Sequence, residues 1–225
     1  MTRGVLRDNG LGLAFGALFL AALAGQAFAG QADYNAQEIA RGGQTIGLGA
    51  YVTSSAFGVD VAENWQSEYL QFFLYIWATV WLVQRGSPES KPLDKVGTQS
   101  DEAQKIGRYA ASESPAWARV GGRRTALFSH SLSLVMAGLF LLSWTAQSIA
   151  GWAYHNSQQL GQFQDPVSWF GYVGSADFWN RSLQNWQSEF LAVGSMAVLS
   201  VFLRERGSPE SKPVGAGHTV TGETG

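Results

Sequence analysis

The chain has 225 residues, of which 46% are hydrophobic and only 14% charged, a smaller charged share than soluble domains carry. Its formal net charge of −2 provides no basic surface of the kind that binds nucleic acid. The absence of cysteine excludes disulfides, thiolate metal sites, iron–sulfur clusters and a cysteine nucleophile.

Four apolar runs follow one another along the chain. The two long runs, Leu11 to Ala29 and Leu132 to Ala150, contain one strongly polar residue each. The two shorter runs, Trp65 to Gln84 and Trp186 to Glu205, reach the about 20 residues of a membrane helix when their first polar turn is included. All four are apolar on every side, which disfavours the buried helices of a soluble bundle. We therefore predict an all-α membrane protein with four transmembrane helices.

The first run also resembles a secretory signal, because Arg3 and Arg7 precede it and Ala27-Phe28-Ala29 matches an A-x-A cleavage site. The run is long for a signal sequence, and it recurs inside the chain where no cleavage is expected. We therefore expect it to be retained as a helix.

The chain matches itself at an offset of 121 residues, the separation of Arg85 and Arg206. Arg85 to Pro92 reads R-G-S-P-E-S-K-P and is identical to Arg206 to Pro213. The sequence N-W-Q-S-E also occurs twice, beginning at Asn64 and at Asn185. Matches in a single register indicate a duplicated two-helix unit. Since two helices return the chain to its starting side, we predict two tandem helical hairpins related by a pseudo-twofold along the membrane normal.

The repeat divides the chain into four predicted segments. They are a first two-helix repeat, a cytoplasmic linker, a second two-helix repeat and a cytoplasmic tail, at residues 1–92, 93–125, 126–213 and 214–225. The linker and the tail are rich in Gly, Ser and charge, so we expect both to be solvated and flexible.

Basic residues are unevenly distributed among the loops. Of the fifteen Lys and Arg residues, only Arg41 and Arg181 lie in the long loops that follow the first and third runs. The positive-inside rule therefore predicts that both termini are cytoplasmic and that the two long loops face outward.

N-W-Q-S-E opens the two shorter runs. Asn64 and Asn185 are residue types that cap helix N-termini, and Glu68 and Glu189 would lie one turn further on, near the positive end of the helix dipole. One interpretation is a simple helix start at the outer interface. The alternative is a pair of functional carboxylates that flank a central polar pocket, since ionisable groups near the membrane tend to face a bundle interior.

The single polar residues of the long runs, Gln26 and Gln147, should lie at the same depth as the two glutamates. Lipid offers neither group a hydrogen-bond partner. We therefore predict that Gln26 pairs with Glu68 and that Gln147 pairs with Glu189.

R-G-S-P-E-S-K-P is typical of a helix stop, with a basic residue in the last turn followed by Gly and Pro. Its identity in both copies exceeds what a stop requires. A contact with a lipid headgroup or a partner protein is therefore an alternative, made by four basic residues: Arg85, Lys91, Arg206 and Lys212. The adjacent Glu weakens the case for a phosphate.

Other motifs are less specific. Gly12-x-x-x-Gly16 indicates close helix packing, within the bundle or between two copies of the chain, and we favour the former. About 25 helical residues, or 37 Å, separate His130 from His155, so the two cannot hold one haem. We predict no metal and no cofactor.

Three motifs carry a resemblance to a known family: N-W-Q-S-E-[YF]-L, the R-G-S-P-E-S-K stop, and the opening R-D-N-G-L of Arg7 to Leu11. Through them the chain resembles a family of uncharacterised bacterial membrane proteins that carry a domain of unknown function. The resemblance covers nearly the whole chain. The second copy departs from it where His130 and Ser131 replace Asn9 and Gly10. It implies a bacterial inner-membrane location and no particular activity.

Three functions fit these patterns. A non-enzymatic scaffold or accessory subunit, with the lipid bilayer and another membrane protein or a second copy as partners, explains the lack of a catalytic constellation. A small transporter or channel would use the pocket near Glu68 and Glu189, although no helix is broken at mid-membrane. An enzyme would need the outward carboxylates, such as Asp60 and Asp177, but no pair recurs at matched positions. We favour the first.

Overall fold

The computed structural model describes residues 2–225, apart from the side chains of residues 2, 3 and 5. Arg3, one of the basic residues used to predict orientation, is among those side chains. Regular structure in the described range is helical, with no strand, which confirms the all-α prediction. The helices are α1 Thr2–Asp8, α2 Gly10–Ala40, α3 Leu48–Val52, α4 Ser55–Ala78, α5 Ala116–Arg119, α6 Gly122–Ser129, α7 Ser131–Gly161, α8 Trp169–Val173 and α9 Ala176–Phe202, with 3-10 turns at Leu93–Lys95 and Gly107–Tyr109.

Two helices, α2 and α7, are long and apolar enough to cross a membrane, as predicted for the two long runs. Each has 31 residues, and about 20 would be sufficient. None of the most apolar stretch of α2 is buried within the chain, and only 17% of that of α7. The predicted close packing of Gly12 and Gly16 within the bundle is not seen, because a Cβ at either position would meet no atom within 4 Å.

Both long helices continue about three turns beyond the apolar runs, so the long polar loops predicted after them are largely helical. Residues 31–40 contain no Gly or Pro, and helix propensity carries α2 onward until Gly42, at a left-handed φ of +78°, ends it. The equivalent connection in the second copy is shortened in the same way, by the extension of α7 to Gly161.

The helices α4 and α9 begin well before the predicted caps, so Asn64 and Asn185 are not N-caps. The hydroxyl of Ser54 accepts the Phe57 N–H, and the hydroxyl of Ser175 accepts the Phe178 N–H, both at 3.3 Å. Serine is as good a cap as asparagine, and here it comes first in the chain. The side chain of Asn185 instead donates to the Arg181 carbonyl within α9, at 3.0 Å.

The helix α4 also ends at Ala78, earlier than the predicted Gln84. The Thr79 hydroxyl donates back to the Tyr75 carbonyl at 2.9 Å. The next two N–H groups, of Val80 and Trp81, donate to carbonyls three residues back, those of Trp77 and Ala78, so the α-helical pattern gives way to turns.

The chain forms two compact units, and each combines segments from both predicted repeats. The first unit consists of Met1–Val61 and Ala146–Tyr172, and the second of Ala62–Thr145 and Val173–Gly225. The predicted repeats are therefore not separate compact units.

In the first unit, an asparagine closes the connection that follows each long helix. Asn35 accepts the Ile46 N–H at 2.8 Å and donates to the Ile46 carbonyl at 3.0 Å. Asn156 makes the same two bonds with Val167, at 2.9 and 3.0 Å. One amide thus satisfies both backbone groups of a loop residue, and the bonds recur at the offset found in the sequence.

A buried tyrosine also lies against a glycine in each long helix. A Cβ on Gly30 would stand 3.0 Å from the Tyr51 Cζ, and one on Gly151 would stand 2.9 Å from the Tyr172 Cζ. The two tyrosines are 3% and 0% exposed, so neither ring can move aside into solvent. Glycine is therefore required at both positions for the helix to approach the ring.

In the second unit, five aromatic rings of α7 and α9 pack together. Neighbouring ring centroids are 5.6 to 6.5 Å apart, and most pairs are tilted or edge-to-face, as aromatic quadrupoles favour. The rings belong to Phe140, Trp144, Phe178, Trp179 and Trp186. This cluster holds together the helix segments that present the polar residues described next.

Candidate functional site

A polar cleft of about 310 Å³ lies in the second unit, where α4 and α9 meet. Helix α4 contributes Glu63, and α9 contributes the rest of the lining: Asp177, Asn180, Arg181, Gln184 and Asn185. Every lining residue is charged or carries an amide, so the cleft suits a polar ligand.

Arg181 lies at the centre of the cleft. Its Nη1 donates to Glu63 Oε2 at 3.0 Å, and its Nε lies 3.8 Å from Asp177 Oδ1. The Arg181 and Glu63 side chains are only 27% and 17% exposed, so water and salt screen this pair less than a surface pair. One cation beside two carboxylates leaves a negative excess, which favours a cation or a hydrogen-bond donor as ligand.

Sequence reasoning missed this cleft. In the sequence, Arg181 bears only on membrane orientation, and Glu63 belongs to no recurring motif. One signal was present in the sequence: the residue matched to Arg181 at the offset of 121 is Asp60, of opposite charge. This reversal of charge marks a position at which the two matched segments differ.

The two copies of N-W-Q-S-E contact one another. Trp186 of the second copy donates its indole N–H to Gln66 Oε1 of the first, at 2.8 Å. Gln66 is fully buried, and its Nε2 has no hydrogen-bond partner within the described range. The two copies of the motif therefore join α4 to α9 through this bond.

The predicted glutamates lie deep within their helices. Glu68 is exposed and Glu189 is half-buried, and the two carboxylates are near enough to interact electrostatically. Neither lies near a helix N-terminus, so the predicted support from the helix dipole is wrong, because that effect fades within the first turn. Gln147 is fully buried and Gln26 is half-buried, both in the other compact unit. Their pairing with the glutamates stays a prediction.

The lysine of the second R-G-S-P-E-S-K-P copy is an internal residue. Lys212 is 0% exposed, and its Nζ donates to three carbonyls at 3.1 to 3.2 Å, those of Gly217, His218 and Val220. Burial, with repulsion from Arg204, lowers the pKa of the Lys212 ammonium. The three N–H groups of Lys212 are therefore all used within the chain, and its predicted headgroup or partner contact stays a prediction.

The first copy is built in a similar way but is less enclosed. Lys91 Nζ donates to one carbonyl, that of Gly97, at 2.9 Å. Arg85 and Arg206 are exposed, so the predicted headgroup or partner contact stays a prediction for these two arginines.

The serines of the motif close the turn after each helix. Ser90 accepts the Gln84 N–H at 3.0 Å, and Ser211 accepts the Glu205 N–H at 2.9 Å. Both serines are buried. The identical sequence thus forms the same hydrogen-bonded turn twice, which is more than a helix stop needs.

Glu89 and Glu210, the glutamates of the two motif copies, are close enough to share a hydrogen bond when one of them is protonated, and the Tyr75 hydroxyl donates to Glu89. A hydrogen bond between two carboxyl groups requires a proton on one of them. This bond, followed by burial and by repulsion from Glu89, raises the pKa of Glu210 above its usual 4.5.

The tail, predicted to be solvated and flexible, is hydrogen-bonded to both copies of the motif. Thr221 Oγ1 accepts the Gly86 N–H at 2.8 Å, and the Gly222 N–H donates to the Ser87 carbonyl at 3.0 Å. The Gly225 N–H donates to Ser211 of the second copy at 2.7 Å. The tail therefore links the two motifs.

No curated protein and no solved structure matches this chain. The expected membership of a family of unknown function is confirmed, since the match extends over nearly the whole chain. From residue 2 to residue 223, this chain belongs to the family described as a domain of unknown function, DUF6766.

Proposed function

We propose that this chain is a multi-pass protein of the bacterial inner membrane and acts there as a non-enzymatic scaffold or accessory subunit. The observation that carries the proposal is α2, whose most apolar stretch is not buried at all within the chain. Each large apolar side chain left in water forfeits roughly 1.5–3 kcal/mol. A bilayer around α2 removes that penalty.

Three further helices complete four spans in this proposal. α7 has the required length and composition, and α4 and α9 have 24 and 27 residues, enough for the about 20 that a span requires. The uneven basic residues then place both termini in the cytoplasm. The recurring asparagine bonds and glycine–tyrosine contacts support a duplicated unit and its pseudo-twofold.

The scaffold role is supported by the use that the chain makes of its polar motifs. N-W-Q-S-E joins α4 to α9 through Gln66 and Trp186, and R-G-S-P-E-S-K-P builds turns through Ser211 and Lys212. Both motifs hold the protein together rather than present reactive groups. A chain whose polar residues form internal hydrogen bonds is rigid, and a rigid protein is suited to position other proteins.

Topology can be tested directly because the chain has no cysteine of its own. We expect Ser100→Cys and Val220→Cys to resist a membrane-impermeant maleimide in intact cells and to react after permeabilisation. Gln164→Cys, on the opposite side, should react in intact cells. Labelling at position 100 or 220 in intact cells would overturn the topology.

The scaffold role itself is tested by purification from native membranes in a mild detergent. We expect a second protein at fixed stoichiometry. Recovery of the chain alone, from membranes in which it is expressed at its natural level, contradicts the proposal.

The polar cleft supports a second candidate function, a small transporter or channel. Arg181 and Glu63 form a partly buried ion pair there, and Glu68 and Glu189 interact further along the same helices. Flux of a small cation in liposomes that contain the purified chain, abolished by Glu63→Gln and retained by Glu102→Gln, would favour this function over a scaffold.

A further inference from the structure

Helices α5 and α6 form a bent basic segment just before α7, which we call the basic elbow (residues 115–130). Gly121 and Gly122 have left-handed φ angles of +71° and +66°, which glycine adopts without strain, and they turn the chain between the two helices. The Thr125 hydroxyl donates to the Trp117 carbonyl at 2.6 Å, and Thr125 and Ala118 are buried where the helices pack. The elbow is therefore an ordered element.

The face of α6 that points away from α5 mixes basic and large apolar side chains. At 3.6 residues per turn, Arg123 and Leu127 lie on the side of α6 opposite the buried Thr125, and Arg124 and Phe128 lie on the adjoining flank. Leu127 is 52% exposed and Phe128 is 39% exposed, and both arginines are exposed. Nothing in the described part of the chain covers this face.

The charge of the elbow has one sign. Residues 115–130 contain three arginines, with Arg119 as the third, and no Asp or Glu. Trp117 and Val120 add two more exposed apolar side chains, at 45% and 59%. Exposed Leu and Phe side chains are unfavourable in water. The boundary of an anionic bilayer accommodates both the arginines and these apolar side chains.

We infer that the basic elbow lies in the headgroup layer of the cytoplasmic leaflet and binds anionic lipid. The arginines would meet lipid phosphates, and Leu127 and Phe128 would enter the acyl region beneath. This inference rests on the membrane location proposed above, because α7 begins at Ser131, one residue after the elbow. If α7 spans, the elbow lies within a turn or two of the bilayer surface. Juxtamembrane basic clusters favour negatively charged leaflets.

The test places an environment-sensitive fluorophore at position 127 through Leu127→Cys, in the purified full chain reconstituted in vesicles. We compare phosphatidylcholine vesicles with vesicles that also contain phosphatidylglycerol, and quench with acrylamide, which is uncharged. Anionic lipid should lower quenching and shift emission to shorter wavelength. The combined change Arg119→Gln, Arg123→Gln, Arg124→Gln should abolish that difference. The matched control Lys95→Gln, Lys105→Gln, Arg108→Gln removes the same charge elsewhere and should retain it.

A second probe separates this inference from the membrane proposal. Leu18→Cys places the same fluorophore on the uncovered stretch of α2. Quenching at position 18 would overturn the membrane location itself, and it would also reveal a variant that failed to insert. If the fluorophore at position 18 is shielded from acrylamide but the one at position 127 is quenched equally in both kinds of vesicle, the elbow inference alone is overturned. Inorganic phosphate added to phosphatidylcholine vesicles should not reproduce the effect, and protection by phosphate would indicate an anion site instead of a lipid surface.

Discussion

Two glycines allow the segments that follow the long helices to pack closely against them. Gly30 and Gly151 each lie under a buried tyrosine ring, where a methyl group has no room. We expect Gly151→Ala to destabilise the protein by about 1–3 kcal/mol, the usual penalty of overpacking, and Gly30→Ala to behave similarly. Thermal unfolding in detergent micelles measures the loss.

Gly25→Ala is the matched control, since a Cβ at Gly25 meets no atom within 4 Å. Alanine improves helix propensity by up to about 1 kcal/mol, so this variant should be neutral or slightly more stable. The double change Gly30→Ala, Tyr51→Phe should recover part of the loss, because it removes the hydroxyl nearest the new methyl. Equal melting temperatures for Gly25→Ala and Gly151→Ala would show that the tyrosine contact is unimportant.

The hydrogen-bonded glutamates should make stability depend on pH. A raised pKa at Glu210 means that the folded state holds the proton more tightly than the unfolded state. Its contribution to stability is therefore complete below pH 4.5 and is lost as the pH rises through the folded-state pKa. In Glu210→Gln an amide can donate to Glu89 at any pH.

We therefore expect the melting temperature of Glu210→Gln to exceed that of the wild type by a margin that grows from acid to neutral pH. Glu102→Gln, which removes an exposed carboxylate of the linker, should show no such growing margin. A constant difference across this range contradicts the shared proton.

At the scale of elements, the start of α9 depends on Ser175 and not on the asparagine of N-W-Q-S-E. We expect Ser175→Ala to lower the free energy of unfolding by about 1 kcal/mol through loss of the cap. Asn185→Ala removes only a bond to a carbonyl inside the helix and should have a smaller effect. Chemical denaturation of both variants distinguishes the two, and the reverse order would restore Asn185 as the cap.

The sequence predicts the long helices well and their limits poorly. The run Leu11 to Ala29 lies within α2. It is apolar on every side, which predicts a helix independently of its surroundings. The extension to Ala40 depends on ordinary helix propensity in polar residues, which carries no periodic apolar signal. Asn64 illustrates another limit, because a good capping residue type also occurs inside helices when an earlier serine already provides the cap.

The candidate site is less predictable than the helices. Glu68 and Glu189 could be anticipated as an interacting pair because they recur at matched positions. Arg181 and Glu63 recur at none, and their ion pair depends on how α4 and α9 meet, which no local pattern encodes. The burial of Lys212 is not predictable either, because the carbonyls that it contacts belong to the tail, a segment with no apolar signal of its own.

For the whole molecule, the tail should contribute to stability through Lys212. Lys212→Met keeps similar bulk but removes three hydrogen bonds made by a buried side chain, and each such bond contributes about 0.5–1.5 kcal/mol. Lys91→Met removes a single bond from a half-buried lysine and should cost about 1 kcal/mol or less. Melting temperatures in one detergent compare the two, and equal losses would show that the tail does not depend on Lys212.

The Arg181–Glu63 ion pair would affect how the two halves of the chain associate if they were produced as separate polypeptides. If the halves are related by the proposed pseudo-twofold and are made as independent chains, two first halves that meet would place Asp60 where Arg181 lies, opposite Glu63. Like charges would then face one another in a partly enclosed cleft. We therefore expect the first half to pair with the second half in preference to another copy of itself.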